Sequence, residues 1–283
     1  MIPTAIRDYV RPASVEEAWT ILTEPGKTVR VVGGGIDVHL FRVPDVTALV
    51  DLTALDLSYV RGEDGIAIGA TTTFTEILES APAADYLDGI LLEVLEQVAS
   101  PLQRNQGTIG GTLGSAHPWS DVIPLLLVLD AELTVFDGEL RTTSLVQMLT
   151  DRASGVRPLI TEVRLPAAPA GADCAFAAFT ATGFDVAILN CAVYAELEGE
   201  RCTAARVAVG GTPALATRLA GIEERLVGEA LDEVSIERAA DLAGEAIDAR
   251  DDRRATAEYR RTLTRAGVAR CLRRIAARGG EVR

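Results

Sequence analysis

Arg104-Asn105-Gln106-Gly107-Thr108-Ile109-Gly110-Gly111-Thr112-Leu113-Gly114-Ser115-Ala116-His117-Pro118-Trp119-Ser120-Asp121 is the stretch that decides the fold. Four glycines, two threonines and two serines fall within these eighteen residues. Glycines let a backbone come close to a ligand, and successive N–H groups in such a segment form a nest for an anion. Side-chain hydroxyls add further donors. The segment therefore reads as a loop equipped to hold a pyrophosphate without lysine. It lacks the G-K-[ST] ending of a P-loop.

A second glycine segment lies upstream, Val31-Val32-Gly33-Gly34-Gly35-Ile36-Asp37-Val38, directly after the β-branched run Val29–Val32. Gly33 and Gly35 satisfy G-x-G, but Val38 stands where a dinucleotide fingerprint needs its third glycine. Pro44 shortens any helix that follows. A Rossmann site is thus disfavoured, and the choice lies between a plain tight turn and a different kind of anion cradle.

Around these loops the first half alternates short strands and helices. Thr47–Leu52, Gly65–Ala70 and Ile160–Leu165 read as strands, and Leu133–Phe136 with Glu139–Thr142 as a hairpin around Asp137-Gly138. Ser14 and Thr73, each three residues before a Glu, open helices through Leu22 and Ser80. Leu87–Ala99 and Val122–Leu129 read as helices. Ala167-Ala168-Pro169-Ala170-Gly171-Ala172 is a small-residue linker and marks a boundary. Beyond it come strands near Cys174–Thr180, Ala187–Leu197 and Ala204–Gly210, then helices near Ala216–Leu226, Ile236–Ala249 and Arg253–Ala277.

Composition narrows the function. The chain has 283 residues, 48 % hydrophobic and 24 % charged, enough for a proper core without disulfide staples. Its formal charge is −14, and Lys27 is the one lysine. That argues against nucleic acid and anionic membrane surfaces. The longest apolar run, Val122–Leu129, is far short of the roughly 20 residues of a membrane span. Met1–Asp8 does not read as a signal peptide. Cys174, Cys191, Cys202 and Cys271 form no CxxC pair, and two histidines make a zinc site improbable. The chain reads as cytoplasmic with reduced thiols. Ser115 and His117, two apart on a loop, are no triad.

The two glycine segments together resemble the FAD-binding medium subunit of the molybdenum hydroxylases, the family of carbon monoxide dehydrogenase and xanthine dehydrogenase. Gly33-Gly34-Gly35-Ile36-Asp37-Val38 is similar to the family's AGG-[TQH]-[DS]-L loop, and Arg104–Thr112 with Pro118 and Asp121 to its RN-x-GTIGGN motif. Tyr9–Ala18, Gly69–Thr73, Leu159–Pro166, Phe184–Ile188 and Ala255–Arg261 resemble later blocks, so the likeness spans almost the whole chain.

The resemblance implies an α+β protein: a two-lobed FAD-binding module of the vanillyl-alcohol-oxidase (PCMH) type over 1–167, with lobes of about 1–55 and 56–167, then a smaller α+β domain over 172–283. FAD would lie between the lobes. Val32, Gly33, Gly34, Gly35, Ile36 and Asp37, with Thr108, Gly110, Gly111 and Thr112, would hold its pyrophosphate, and Ser115 would add a hydroxyl. His117 would face the cofactor, Asp121 would accept ribose hydroxyls, and Ile160 would pack beside the isoalloxazine. Molybdopterin and [2Fe–2S] clusters would sit on a large and a small partner subunit. Electrons would leave through FAD to NAD, a quinone or oxygen, with no catalytic side chain on this chain. A scaffold subunit with a degenerate flavin site and a stand-alone flavin oxidoreductase remain alternatives, since Gly33, Ile36 and Thr112 depart from the family pattern. Phe176–Gly183 holds no base, which predicts a lowered flavin potential. The arginines of the last helix read as a solvated face that also suits an acidic partner.

Overall fold

Short capped elements build the computed structural model, which describes residues 6–40, 46–62, 64–153, 157–183 and 185–279. From the N-terminus come β1 (Asp8–Val10), α1 (Val15–Leu22), β2 (Val29–Val32), α2 (Ile36–Leu40) and β3 (Ala48–Asp51). β4 (Val60–Arg61) and β5 (Gly65–Gly69) precede α3 (Phe74–Leu78), α4 (Ala81–Asp85), α5 (Ile90–Gln97), α6 (Pro101–Arg104), α7 (Ile109–Ser115) and α8 (Val122–Val128). β6 (Glu132–Phe136), β7 (Leu140–Ser144), α9 (Leu145–Ala153) and β8 (Leu159–Pro166) follow. The rest comprises β9 (Ala172–Phe179), β10 (Leu189–Glu198), β11 (Arg201–Gly210), β12 (Thr217–Arg218), α10 (Ala220–Leu226), α11 (Glu233–Ala246) and α12 (Ala257–Gly279).

These elements form two compact units. The first takes residues 1–83, 100–115 and 132–165. It holds a parallel three-stranded sheet of order β1-β3-β2 and a five-stranded sheet of order β4-β5-β8-β6-β7. Ser14 caps α1 by accepting from Glu17 N at 3.2 Å, while the Glu17 carboxylate reaches back to Ala13 N at 2.7 Å. The cap aims Ala18 and Trp19 inward. Trp19 meets Phe136 edge-on at 6.3 Å, and Ala18, Val50, Leu52 and Leu159 close that core. Thr73 and Glu76 form the full reciprocal cap that starts α3.

The second unit takes residues 84–99, 116–131 and 166–283. Its antiparallel sheet has order β12-β11-β10-β9. Cys191, Val193 and Ala195 of β10, with Val207 and Val209 of β11, face a core completed by α11 and α12. The alternate residues Asn190, Ala192 and Tyr194 are buried as well, on the side where α8 packs. All seven residues of α8 are buried, which explains a helix with no polar face.

The structure departs from the sequence reading in particular places. The helix expected from Leu87 begins at Ile90, because Leu87 and Asp88 adopt left-handed backbone angles. The long glycine stretch is not all loop: α6 ends on its first residue, Arg104, and α7 forms within it. α2 agrees with the sequence reading, a helix only five residues long ahead of Pro44. Arg260 is no solvated residue: it is 1 % exposed and donates to the carbonyls of Gly211, Arg250 and Ala255 and to Asp252 at 2.7–2.9 Å. Its neighbours on α12 pair within the chain, Arg274 with Glu93, Arg278 with Asp173, Arg265 with Asp241 and Arg273 with Glu233. Phe184, at the head of one of the blocks that resemble the family, and the side chain of His39, in α2, lie outside the described residues.

Candidate flavin site

β2 ends at Val32, and the chain leaves the carboxyl end of the parallel sheet through Gly33-Gly34-Gly35, with Gly35 at φ +77°. That end of a parallel sheet is where α/β folds take ligands. α2 then begins with Asp37 in its first turn.

The second glycine segment is brought to the same place by β5 and the turn after it. Gly110 N donates to Ala70 O at 2.9 Å, Ile109 N to Thr72 O at 3.1 Å, and Phe74 N to Gly107 O at 2.9 Å. Thr108 is buried, and its hydroxyl starts α7 by accepting from Gly111 N at 3.1 Å.

The two segments touch. A Cβ on Gly33 would stand 2.6 Å from Thr108 Oγ1, and one on Gly34 would fall onto the Gln106 carbonyl. Gly34 is required by close approach of backbone to backbone, and Gly33 by the Thr108 side chain packed against it. Ser115 Oγ donates to Asp37 Oδ2, a second tie between the loops. The expected hydroxyl donor Ser115 is thus engaged with Asp37. Arg152, missed in the sequence because nothing local marks it, grips the end of α7. It donates to the carbonyls of Gly114 and Ser115, the latter at 2.7 Å. Burial beside Arg157 holds its guanidinium below the usual arginine range.

An FAD pyrophosphate needs uncommitted donors and room, and the cradle has both. Among the described residues, the loop hydrogen bonds use none of the amides of Gly33, Gly34, Gly35 and Ile36. The Thr112 hydroxyl likewise takes no partner among them. Gly111 and Gly114 are exposed, and a Cβ on Gly114 would meet nothing within 4 Å. Ile160, on β8 opposite Val135, is 8 % exposed.

His117, Trp119 and Asp121 belong to the second unit. The rings of His117 and Trp119 stack at 4.7 Å and 7°. Asp121 precedes α8, and burial pushes its carboxyl up to about 6 against the opposing pull of the Asn190 amide. Asn190 Nδ2 donates to Asp121 Oδ1 at 2.7 Å. The sequence signal for Asn190 is a lone amide in the apolar strand Leu189–Val193. Phe176–Gly183 contains no base; the Arg270 guanidinium lies over the Phe179 ring at 5.2 Å. Among the described residues, no group of His, Cys, Asp and Glu could hold a metal ion, and no helix is long and apolar enough to cross a membrane.

Fold and site together define a flavoprotein chain. Residues 4–168 match the family model described as the FAD binding domain in molybdopterin dehydrogenase, and residues 175–275 match the CO dehydrogenase flavoprotein C-terminal domain. The chain is 32 % identical to the alpha subunit of the 6-hydroxypseudooxynicotine dehydrogenase complex of Paenarthrobacter nicotinovorans, covering 94 % of this chain and 93 % of that one. It is also 32 % identical to the carbon monoxide dehydrogenase medium chain of Afipia carboxidovorans, covering 98 % and 99 %. Among solved structures, reconstituted CO dehydrogenase from Oligotropha carboxidovorans superposes with a TM-score of 0.89 at 27 % identity, covering 98 % and 100 %. Quinoline 2-oxidoreductase from Pseudomonas putida does so at 0.88 and 26 %, covering 99 % of each chain.

The chain therefore belongs to the family of FAD-binding subunits of molybdopterin dehydrogenases, as a medium-type, oxidoreductase subunit with FAD as its cofactor.

Proposed function

We propose that this chain is the flavin-bearing relay of a three-subunit molybdenum hydroxylase in the cytoplasm. A large subunit with molybdopterin would oxidise the substrate, and a small subunit with two [2Fe–2S] clusters would deliver the electrons. NAD, a quinone or oxygen would receive them. FAD supplies the redox chemistry when bound, and the protein's part is to bind and orient it.

We assign the residue roles from the family resemblance, with the cradle as support for those in the two glycine segments. Val32–Asp37 present amides and Thr108 and Thr112 present hydroxyls to the pyrophosphate, the task that lysine performs elsewhere, while Gly110 and Gly111, whose amides serve the Ala70 carbonyl and the Thr108 hydroxyl, leave room for its approach. Ser115 fixes Asp37, and Arg152 fixes Ser115. Ile160 keeps water from the isoalloxazine. Asp121 accepts ribose hydroxyls as a carboxylate, and His117 faces the cofactor with Trp119 behind its ring. The domains are taken as 1–167 and 172–283.

The meeting of two glycine segments about 70 residues apart, with the Gly33–Ile36 amides uncommitted, carries this reading. Its test is co-purification of the chain from its native host. Molybdenum, iron and heat-released FAD in fixed proportion, with flavin absorbance that bleaches when the iron–sulfur subunit is reduced, is the expected result. A colourless chain that ignores added FAD with its partners present would move the function to scaffolding.

A further inference from the structure

The turn that carries Asp121 is seated on the ends of two strands of the C-terminal sheet. Gly211 N, just past β11, donates to Pro118 O at 2.7 Å. From β10, the Asn190 amide faces three acceptors in a row: Asp121 Oδ1 at 2.7 Å, Ser120 O at 3.1 Å and Trp119 O at 3.4 Å. Asn190 is fully buried. Its own carbonyl oxygen is buried without a partner among the described residues and abuts Gly210, where a Cβ would collide with it.

An orphaned buried carbonyl is a cost, which a leucine of similar size would not incur. Stability alone therefore does not account for an amide at this position. What the amide does is hold one carboxylate. We infer that Asn190 is the positioning residue for Asp121, fixing the side chain and favouring its ionised form so that it can accept the ribose hydroxyls of FAD. The inference rests on the reading of Asp121 given above.

The charges on the surrounding elements are engaged elsewhere. Arg206 of β11 and Arg218 of β12 pair with Asp130, and Glu93 of α5 pairs with Arg274. Arg260 donates to the carbonyls of Gly211 and Ile188. Burial and the Asn190 amide are the two influences on the Asp121 carboxyl.

The test compares the full chain with Asn190→Leu, and with Asn190→Ser where leucine does not fold. Two quantities are read. One is the titration midpoint of the Asp121 carboxyl in FAD-free protein, from the carbonyl NMR signal that Asp121→Asn removes. The other is the FAD dissociation constant across pH 5.5 to 8. The inference expects the midpoint to rise by about one pH unit. It also expects FAD to bind about tenfold more weakly at pH 7, with its pH dependence displaced in the same direction. An unmoved midpoint overturns the positioning role. A moved midpoint with unchanged FAD affinity overturns the claim that the positioning serves FAD. Loss of the Asp121 reading itself would show separately, as an Asp121→Asn chain that binds FAD as tightly as wild type.

Discussion

Asp121 is held in a place its charge opposes. Burial raises its carboxyl from 3.8 to about 6, so the folded chain binds this proton more tightly than the unfolded chain does. The stability linked to the group is fully present below about pH 4 and is lost as pH rises through about 6. At neutral pH the ionised side chain thus costs on the order of 3 kcal/mol. Asp121→Asn removes the charge and keeps an oxygen for the Asn190 amide. Its FAD-free chain should melt higher than wild type at pH 7, by up to about 3 kcal/mol of stability, with the difference closing near pH 4. FAD should bind the variant more weakly. Equal melting temperatures at pH 7 would show that the carboxylate is not strained there. A group that lowers the stability of the empty protein and serves the loaded one is what a binding site looks like at the scale of one residue.

The same tension appears in α7. Gly110, Gly111 and Gly114 sit in seven helical residues, and each glycine costs about 1 kcal/mol relative to alanine. The three differ in what they face. A Cβ on Gly110 would stand 2.6 Å from the Ala70 carbonyl, whereas one on Gly114 meets open space. Gly110→Ala should therefore destabilise the chain, and Gly114→Ala should stabilise the FAD-free chain by about 0.5–1 kcal/mol. If FAD covers the open face, Gly114→Ala also weakens its binding, so melting and FAD titration separate the two effects. These glycines explain why the helix was illegible in sequence: local propensity opposes it, and the Thr108 cap and the Ala70 and Thr72 carbonyls impose it from elsewhere in the fold. The glycine motifs themselves were legible, because backbone approach leaves no alternative residue. On α12 the arginines were visible but their partners were not. Arg274 binds Glu93 through both guanidinium nitrogens at 2.5 Å in a half-buried pair, and Arg273 binds more exposed glutamates of α11. Arg274→Ala should cost about 1–2 kcal/mol and resist added salt, while Arg273→Ala should cost less and lose most of that cost in added salt. Chemical denaturation at low and high salt reads both, and equal costs would refute the distinction.

Over the whole molecule, chain order and spatial order part company. The small-residue linker at 167–172 divides the sequence, yet residues 84–99 and 116–131, which precede it, pack with the unit that follows it. No local pattern announces this, because it depends on β10 and β11 offering a buried face to α8. What the sequence does display is an apolar α8 without a polar side, a sign that its partners lie on both flanks. The consequence is physical. Residues 1–167 alone would leave Val122, Ile123, Leu125, Leu126 and Leu127 without the sheet that covers them, and a fully buried leucine is worth about 1.5–3 kcal/mol. The turn at Asp121 would also lose Asn190 and Gly211. The 1–167 fragment should therefore aggregate or stay loosely packed when expressed alone, and should bind FAD poorly. Co-expression with 168–283 should recover a soluble complex that holds FAD, since the cut falls in an exposed segment that neither unit needs continuous. Gel filtration and flavin fluorescence decide it. A 1–167 fragment that is monomeric, cooperative in melting and yellow would mean that α8 finds its cover within the N-terminal residues, and that the C-terminal sheet is not what seats the Asp121 turn.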